Sequence, residues 1–251
     1  MIKRFNRYEL KYLVNAPQYR GLVKDLQNFM VPDAYGDVDG FYRVVSLYYD
    51  SPHLTGYHSK IEGLKFRRKL RIRVYPGTNV TQVQTAFVEI KQRINRTVQK
   101  RRIVLPLDAA ERLCSGTRFP TDLDEADTAT ANEIAYMQRA LTLRPKAIVS
   151  YRRQAFMGGR YERGMRLTFD MKLQGRMHAL RVNEIAKNRY CFPLDWFVME
   201  VKVNERIPNW VLTLLAKHDC QLSRISKYCA VVSHERAHLG AAWRHKENLY
   251  G

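Results

Sequence analysis

Several short stretches of this chain carry a charge at every second position. In Phe66–Tyr75, FRRKLRIRVY, the odd positions Arg67, Lys69, Arg71 and Arg73 are cationic, and the even positions include Phe66, Leu70, Ile72 and Val74. Side chains alternate faces along a strand, so this pattern places four cations on one face and apolar groups on the other. Glu89, Lys91 and Arg93 share a face in 85–94, as do Lys100 and Arg102 in 98–105. Arg166, Thr168, Asp170 and Lys172 share one in 165–173, and Glu200 and Lys202 in 196–204. Arginine grips phosphate oxygens with a planar fork, lysine offers a compact charge, and carboxylates offer hard oxygens to a divalent cation. Such rows suit either the wall of a phosphate site or a solvated sheet face, and alternation alone leaves both open.

The elements that must position these residues are mostly strands. Strands are predicted over 5–14, 42–50, 66–75, 85–94, 98–105, 146–156, 165–173 and 196–204. Gly158-Gly159 marks a hairpin tip between two of them. Helical spacing marks 16–30, 132–143 after a helical stretch with Asp108 as N-cap, 207–219, and 223 to about 237. Hairpins and meanders argue for an antiparallel sheet, giving an α+β fold. Closed on itself, that sheet makes a β-barrel whose lumen is a cation-lined tunnel, with the helices flanking its apolar outside. No repeat or long linker divides the chain, so 1–251 is expected to be a single domain, with a core of about 5–236 and a polar tail over 237–251.

With 43 Lys+Arg against 24 Asp+Glu, the net charge is +19, which implies a polyanionic partner. The four cysteines show no CxxC spacing, which argues against zinc and for reduced, buried thiols. MIKRFNRYELKY lacks the apolar core of a signal peptide, and no run of about 18 apolar residues spans a bilayer, so the expected location is cytoplasmic. His234–His238 reads HERAH, but Ala241 and Arg244 stand where a zinc protease of the longer motif has Gly and His. A nucleic-acid-binding protein would use the same charge. Its recognition helix or RRM-type signature is missing here, so nucleic acid is not the favoured partner.

The ordered set RYELKY, the RxR of Arg71 and Arg73, the EIK of Glu89 and Lys91, the MEVK ending in Glu200 and Lys202, and the SKY of Ser226–Tyr228 resembles the VTC domain. This is the polyphosphate polymerase branch of the triphosphate tunnel metalloenzymes, and the resemblance runs from about Arg7 to Ser233. It implies a metal-dependent enzyme that moves the γ-phosphate of ATP onto inorganic polyphosphate and releases ADP, with Mn²⁺ or Mg²⁺ as cofactor. By motif, Arg71, Arg73, Lys91, Arg152 and Lys227 would be catalytic, and Lys11, Lys100 and Ser226 would bind phosphate. Arg102, Arg166 and Lys202 share the expected lumen face. Glu200 would hold the metal, with Glu9, Glu89 or Asp170 beside it, while Arg67 and Lys69 fall toward the tunnel mouth. The wider superfamily opens with ExExK; here Arg7 stands where the first acid would be, which thins the metal site. Fungal polymerases carry membrane and SPX regions that this sequence does not show, so coupling to translocation would fall to a separate membrane protein. A tunnel triphosphatase or polyphosphatase, using a carboxylate to orient water, and a non-catalytic polyphosphate-binding protein are the alternatives.

Overall fold

Eight long antiparallel strands follow one another in a single curved sheet, and most carry a charged row on one side and an apolar row on the other. The computed structural model describes residues 7–77, 79–95, 97–159, 162, 164–204 and 206–247. The expected strand start at Phe5 and the end of the tail beyond Glu247 lie outside the described residues. The strands are β1 (Arg7–Asn15), β2 (Met30–Pro32), β3 (Phe41–Asp50), β4 (Phe66–Val74), β5 (Thr85–Ile94), β6 (Thr97–Pro106), β7 (Arg144–Gly158), β8 (Arg166–Arg176), β9 (Arg189–Tyr190) and β10 (Trp196–Asn204). The helices are α1 (Ala16–Leu26), α2 (Thr55–Ile61), α3 (Leu107–Ser115), α4 (Glu125–Leu141), α5 (Asn209–Lys217) and α6 (Lys227–Glu247).

The sheet order is β1-β10-β8-β7-β3-β4-β5-β6, with β2 paired to β7 and β9 to β8. The expected barrel is therefore not closed, because β1 and β6 are edges with no ladder between them among the described residues. The sheet curls until those edges approach. A side-chain bridge spans the gap, with Lys91 Nζ on β5 lying 2.6 Å from Glu9 Oε2 on β1.

Local chemistry explains most boundaries. Asn15 and Gln18 form a reciprocal cap at the start of α1. That helix stops at Leu26 rather than Met30 because Met30–Pro32 pairs with β7. Asp108 is not the cap of α3; it lies in the first turn and pairs with Arg112 at 2.6 Å. Asp124 caps α4, accepting from the Asp127 amide at 2.7 Å. The last helix continues to Glu247, well past the expected end near Ala237.

The convex side carries the apolar rows. Helices α3 and α4 cover Leu47, Leu70, Ile72, Val88 and Ile90, while α1 and α5 cover Val14, Phe169, Met199 and Val201. A third apolar cluster lies on the concave side, where α6 brings Tyr228, Cys229 and Val231 against Val44, Tyr48, Val149 and Tyr151. The close approach needs Gly175, since a Cβ there would sit 2.4 Å from a Val231 methyl. Helix α6 thus fills part of the concavity and aims its N-terminus at the charged rows.

Candidate functional site

The concave face collects one parity of residues from each strand. Strand β3 contributes Ser46 and Tyr48, paired across the ladder with Arg73 and Arg71 of β4. On β5 and β6, Glu89 faces Arg102 and Lys91 faces Lys100. On the far side Lys11 faces Glu200, Glu9 faces Lys202, and Arg153 of β7 faces Asp170 of β8.

Two walls result. In the first, Glu89 is fully buried and takes two bonds from Arg71, Nε at 2.7 Å and Nη2 at 2.6 Å, both on Oε2. Arg73 Nε stands 3.9 Å away, and the Lys100 ammonium touches the other oxygen. Hydroxyls hold the guanidiniums: Tyr48 accepts from Arg71 at 2.8 Å, while Ser46 and Tyr151 each accept from Arg73 at 3.1 Å. Burial alone would raise Glu89, but Arg71, Arg73 and Lys100 outweigh it and keep the carboxyl well below its usual range. Burial would likewise raise the Tyr48 phenol; Arg71 and Arg73 bring it down to about 8.

The second wall is built on three carboxylates. Glu200 receives Lys11 at 3.2 Å, Lys202 at 2.8 Å and Lys227, with Arg153 at 4.0 Å. Asp170 is gripped by both arms of Arg153, at 2.6 and 2.7 Å, and by Lys227 at 2.6 Å. Glu9 binds Lys11 at 3.2 Å and Lys91 at 2.6 Å. Burial opposes ionisation of Glu200 and Asp170, and the surrounding cations overcome it, so both stay charged far below the normal carboxylate range. Lysines without a full share of carboxylate respond the other way. Burial lowers Lys91 and Lys100 to about 8, although solvent still reaches about a third of the Lys91 side chain through the concavity. The hydroxyl of Tyr151 joins the walls, accepting from Arg73 at 3.1 Å and from Arg153 at 3.5 Å.

Of the residues expected from sequence, Glu9, Lys11, Arg71, Arg73, Glu89, Lys91, Lys100, Asp170, Glu200, Lys202 and Lys227 meet in this network. Ser226 precedes α6 and does two things: it accepts from the Cys229 amide at 3.4 Å and from Lys69 at 3.0 Å. Lys69 therefore meets α6 inside the concavity rather than standing free at a mouth. Arg102 is exposed over the Phe87 ring at 4.8 Å, and Arg166 is tied to Asp33 at 2.6 Å and to the Tyr42 hydroxyl. Arg152 is not brought here. It projects from the convex face over the Phe41 ring, 3.9 Å from Asp37.

Its neighbours Tyr151 and Arg153 occupy the concave positions, and sequence reasoning missed both. A bulge in β8 shifts the register opposite Ser150–Arg152, with Lys172 at φ 53, so Lys172 leaves the Arg166–Asp170 face and Leu173 takes its parity. The HERAH segment lies on α6, where Glu235 pairs with Arg189 at 3.2 Å.

Among the described residues, no three His, Cys, Asp or Glu side chains converge as a metal cage. The acids converge in pairs on ammonium groups instead, Glu9 with Glu200 on Lys11 and Asp170 with Glu200 on Lys227. These hard oxygen donors suit a Mg²⁺-like ion that draws most of its ligands from phosphate.

A family model described as the VTC domain matches residues 6–234. No curated protein matches the chain. Among solved structures, a candidate adenylyl cyclase from Hippeastrum, described as having a dominant triphosphatase activity, superposes with a TM-score of 0.51 at 14% identity, over 91% of this chain and 96% of that one. A candidate adenylate cyclase from Bacillus halodurans gives 0.48 at 13% identity, over 88% and 95%. The Hippeastrum likeness shows a shared fold; the second is too distant to carry an argument.

Proposed function

The chain belongs to the VTC-domain family, and from that premise we propose that it is a metal-dependent polyphosphate polymerase, transferring the γ-phosphate of ATP to an inorganic polyphosphate chain and releasing ADP. The observation that carries this reading is the excess of cations on the concave face. Among the described residues, Lys11, Lys69, Arg71, Arg73, Lys91, Lys100, Arg153, Lys202 and Lys227 surround Glu9, Glu89, Asp170 and Glu200. Such an excess of positive charge supports a polyanion threaded through the lining.

In the transfer, a terminal polyphosphate oxygen attacks the γ-phosphorus, the bond to the β-phosphate oxygen breaks, and the charge leaves on ADP. Arg71 and Arg73 would grip the phosphates with their forks, while Arg153, Lys227 and the N-terminus of α6 meet them from the opposite wall. Holding donor and acceptor in line and stabilising equatorial charge supplies most of such a barrier reduction. The attacking phosphate has a second pKa of about 6, so it needs no strong base. That agrees with strands β1 to β10, none of which carries a histidine. A divalent ion would take Glu200 and Glu9, whose carboxylates already share one cation, and when bound it would neutralise phosphate oxygens.

Incubation with ATP and Mn²⁺ or Mg²⁺ tests the reading. ADP together with long-chain polymer is the expected product. Free phosphate without polymer assigns a triphosphatase instead, and tight polyphosphate binding with no turnover assigns a sensor.

A further inference from the structure

Behind the site, on the convex side of β3 and β7, lies a cavity of about 240 Å³ that the phosphoryl-transfer reading does not use. Val45 and Ile148 form its floor, Val80 and Val182 its apolar sides, and Arg43, Ser150 and Arg176 its polar part. Ser150 is 2% exposed, and its Oγ has no hydrogen-bond partner. A buried hydroxyl left unpaired is unusual in a folded protein and marks a place where something else completes the bonding.

The wall around it is built rather than accidental. The segment after β8 wraps the buried Arg176, whose guanidinium donates to the carbonyls of His178 at 3.2 Å, Ala179 at 3.0 Å, Arg181 at 3.1 Å and Glu184 at 3.0 Å, and to Asn188 Oδ1 at 2.9 Å. These partners are neutral, so no carboxylate pairs with this charge. Arg43 at the rim likewise makes no ion pair or hydrogen bond among the described residues, and the one acid lining the cavity, Glu184, is exposed. In the concave site every carboxylate is shared among cations; here, among the described residues, neither guanidinium has a carboxylate within 4 Å, and only the exposed Glu184 acts on Arg176 from further off.

We propose that this cavity is a second ligand site, taking a small amphiphilic anion with its carboxylate or phosphate head between Arg43 and Ser150 and its apolar body on Val45, Ile148 and Val182. The volume lies just below the usual range for small-molecule pockets, which limits the body to about one ring. The floor belongs to strands whose next residues face the tunnel: Val45 precedes Ser46, which accepts from Arg73 at 3.1 Å. The site therefore lies back to back with the arginine wall.

The test is a titration of isotopically labelled full-length protein, followed by amide NMR shifts, with benzoate, phenyl phosphate and the neutral isostere benzamide. Saturable shifts at Val45, Ile148 and Asn188 with either anion, absent with benzamide, are expected, and the stronger anion identifies the head group. Arg43→Gln and Ser150→Ala should each weaken binding about tenfold. If Ser150→Ala does not fold, the exposed Arg43→Gln carries the comparison. Shifts that are unsaturable, equal in the variants, equal with benzamide, or confined to Arg71, Arg73 and Lys91 overturn the proposal.

Discussion

The two walls of the concavity hold charge by different chemistry. Around Glu89, the arginines come from one strand and are braced by Tyr48, Ser46 and Tyr151, so their forks are aimed before any ligand arrives. Around Glu200, Asp170 and Glu9, the partners are mainly lysines from β1, β10 and α6; Lys11 and Lys227 are each shared between two carboxylates, and Lys202 rests on Glu200. A guanidinium held by hydroxyls keeps its geometry, whereas an ammonium on a flexible stem can exchange a carboxylate for a phosphate oxygen. The arginine wall is therefore suited to orientation, and the lysine–acid wall to taking up and releasing charge as the chain advances.

Removing one acid from each wall gives the largest expected difference. Glu200→Ala strands Lys202 without its carboxylate and weakens the hold on Lys11 and Lys227, and breaking such a buried network costs about 3–5 kcal/mol of stability. Glu89→Ala should cost less, because Arg71 and Arg73 keep hydroxyl partners and Lys100 is 45% exposed. Urea denaturation of the two variants measures this; equal losses would erase the distinction. The Glu200 pKa lies well below 4.5 in the folded state, so its stabilisation is present at neutral pH and is lost as pH falls below that value. Glu200→Gln should flatten that acid limb.

Next in size is the cost of losing a fork. Arg73→Ala should lower kcat/KM for ADP formation by about 10²–10³ while leaving the fold intact, in line with removal of one preorganised charge-stabilising donor. Arg71→Lys keeps the charge and should still lose about tenfold or more, because a single ammonium does not reproduce two bonds. Full activity in Arg71→Lys would mean that the wall acts through charge alone.

A smaller effect should appear with pH. Burial lowers Lys91 and Lys100 to about 8, so both lose their charge as pH rises through that value, whereas the arginines do not. KM for ATP should rise by up to about tenfold between pH 7 and 9, with kcat changing less. Lys91→Arg should flatten the rise. A profile unchanged by that substitution would assign the titration to Lys100 or Tyr48, which also lie at about 8, and remove Lys91 from it.

Much of this arrangement was legible because alternation is a local signal. The spans 85–94 and 196–204 match β5 and β10, and the parity read for Arg71, Arg73, Glu89 and Glu200 is the concave one. The unread parts depend on long-range geometry. Nothing in a strand's own pattern says whether β1 and β6 will hydrogen-bond, and the gap between them is bridged by side chains instead. Lys69 reads like any row-end cation until α6 arrives from more than a hundred residues away. Ser226 reads as a phosphate ligand, and its hydroxyl also accepts from the Cys229 amide at the start of α6.

At Arg152 and Arg153 cations occupy both parities of β7, and alternation cannot choose between them. The ladder does: Arg153 faces Asp170 and binds it with both arms, while Arg152 faces Met171 on the convex side and is 53% exposed. The concave position expected of Arg152 is therefore held by Arg153. Arg153→Ala should cut turnover strongly and also destabilise, since Asp170 would keep Lys227 alone. Arg152→Ala should change stability by no more than about 0.5 kcal/mol, as befits an exposed side chain with a distant acid. Its activity should stay within about twofold of the wild type, a difference of roughly 0.4 kcal/mol in the barrier. The pair is best measured side by side for ADP formation and urea midpoint. If Arg152→Ala proved the more damaging, the concave assignment of β7 would be wrong, and Tyr151, the hydroxyl that joins the two walls, would lose its place with it.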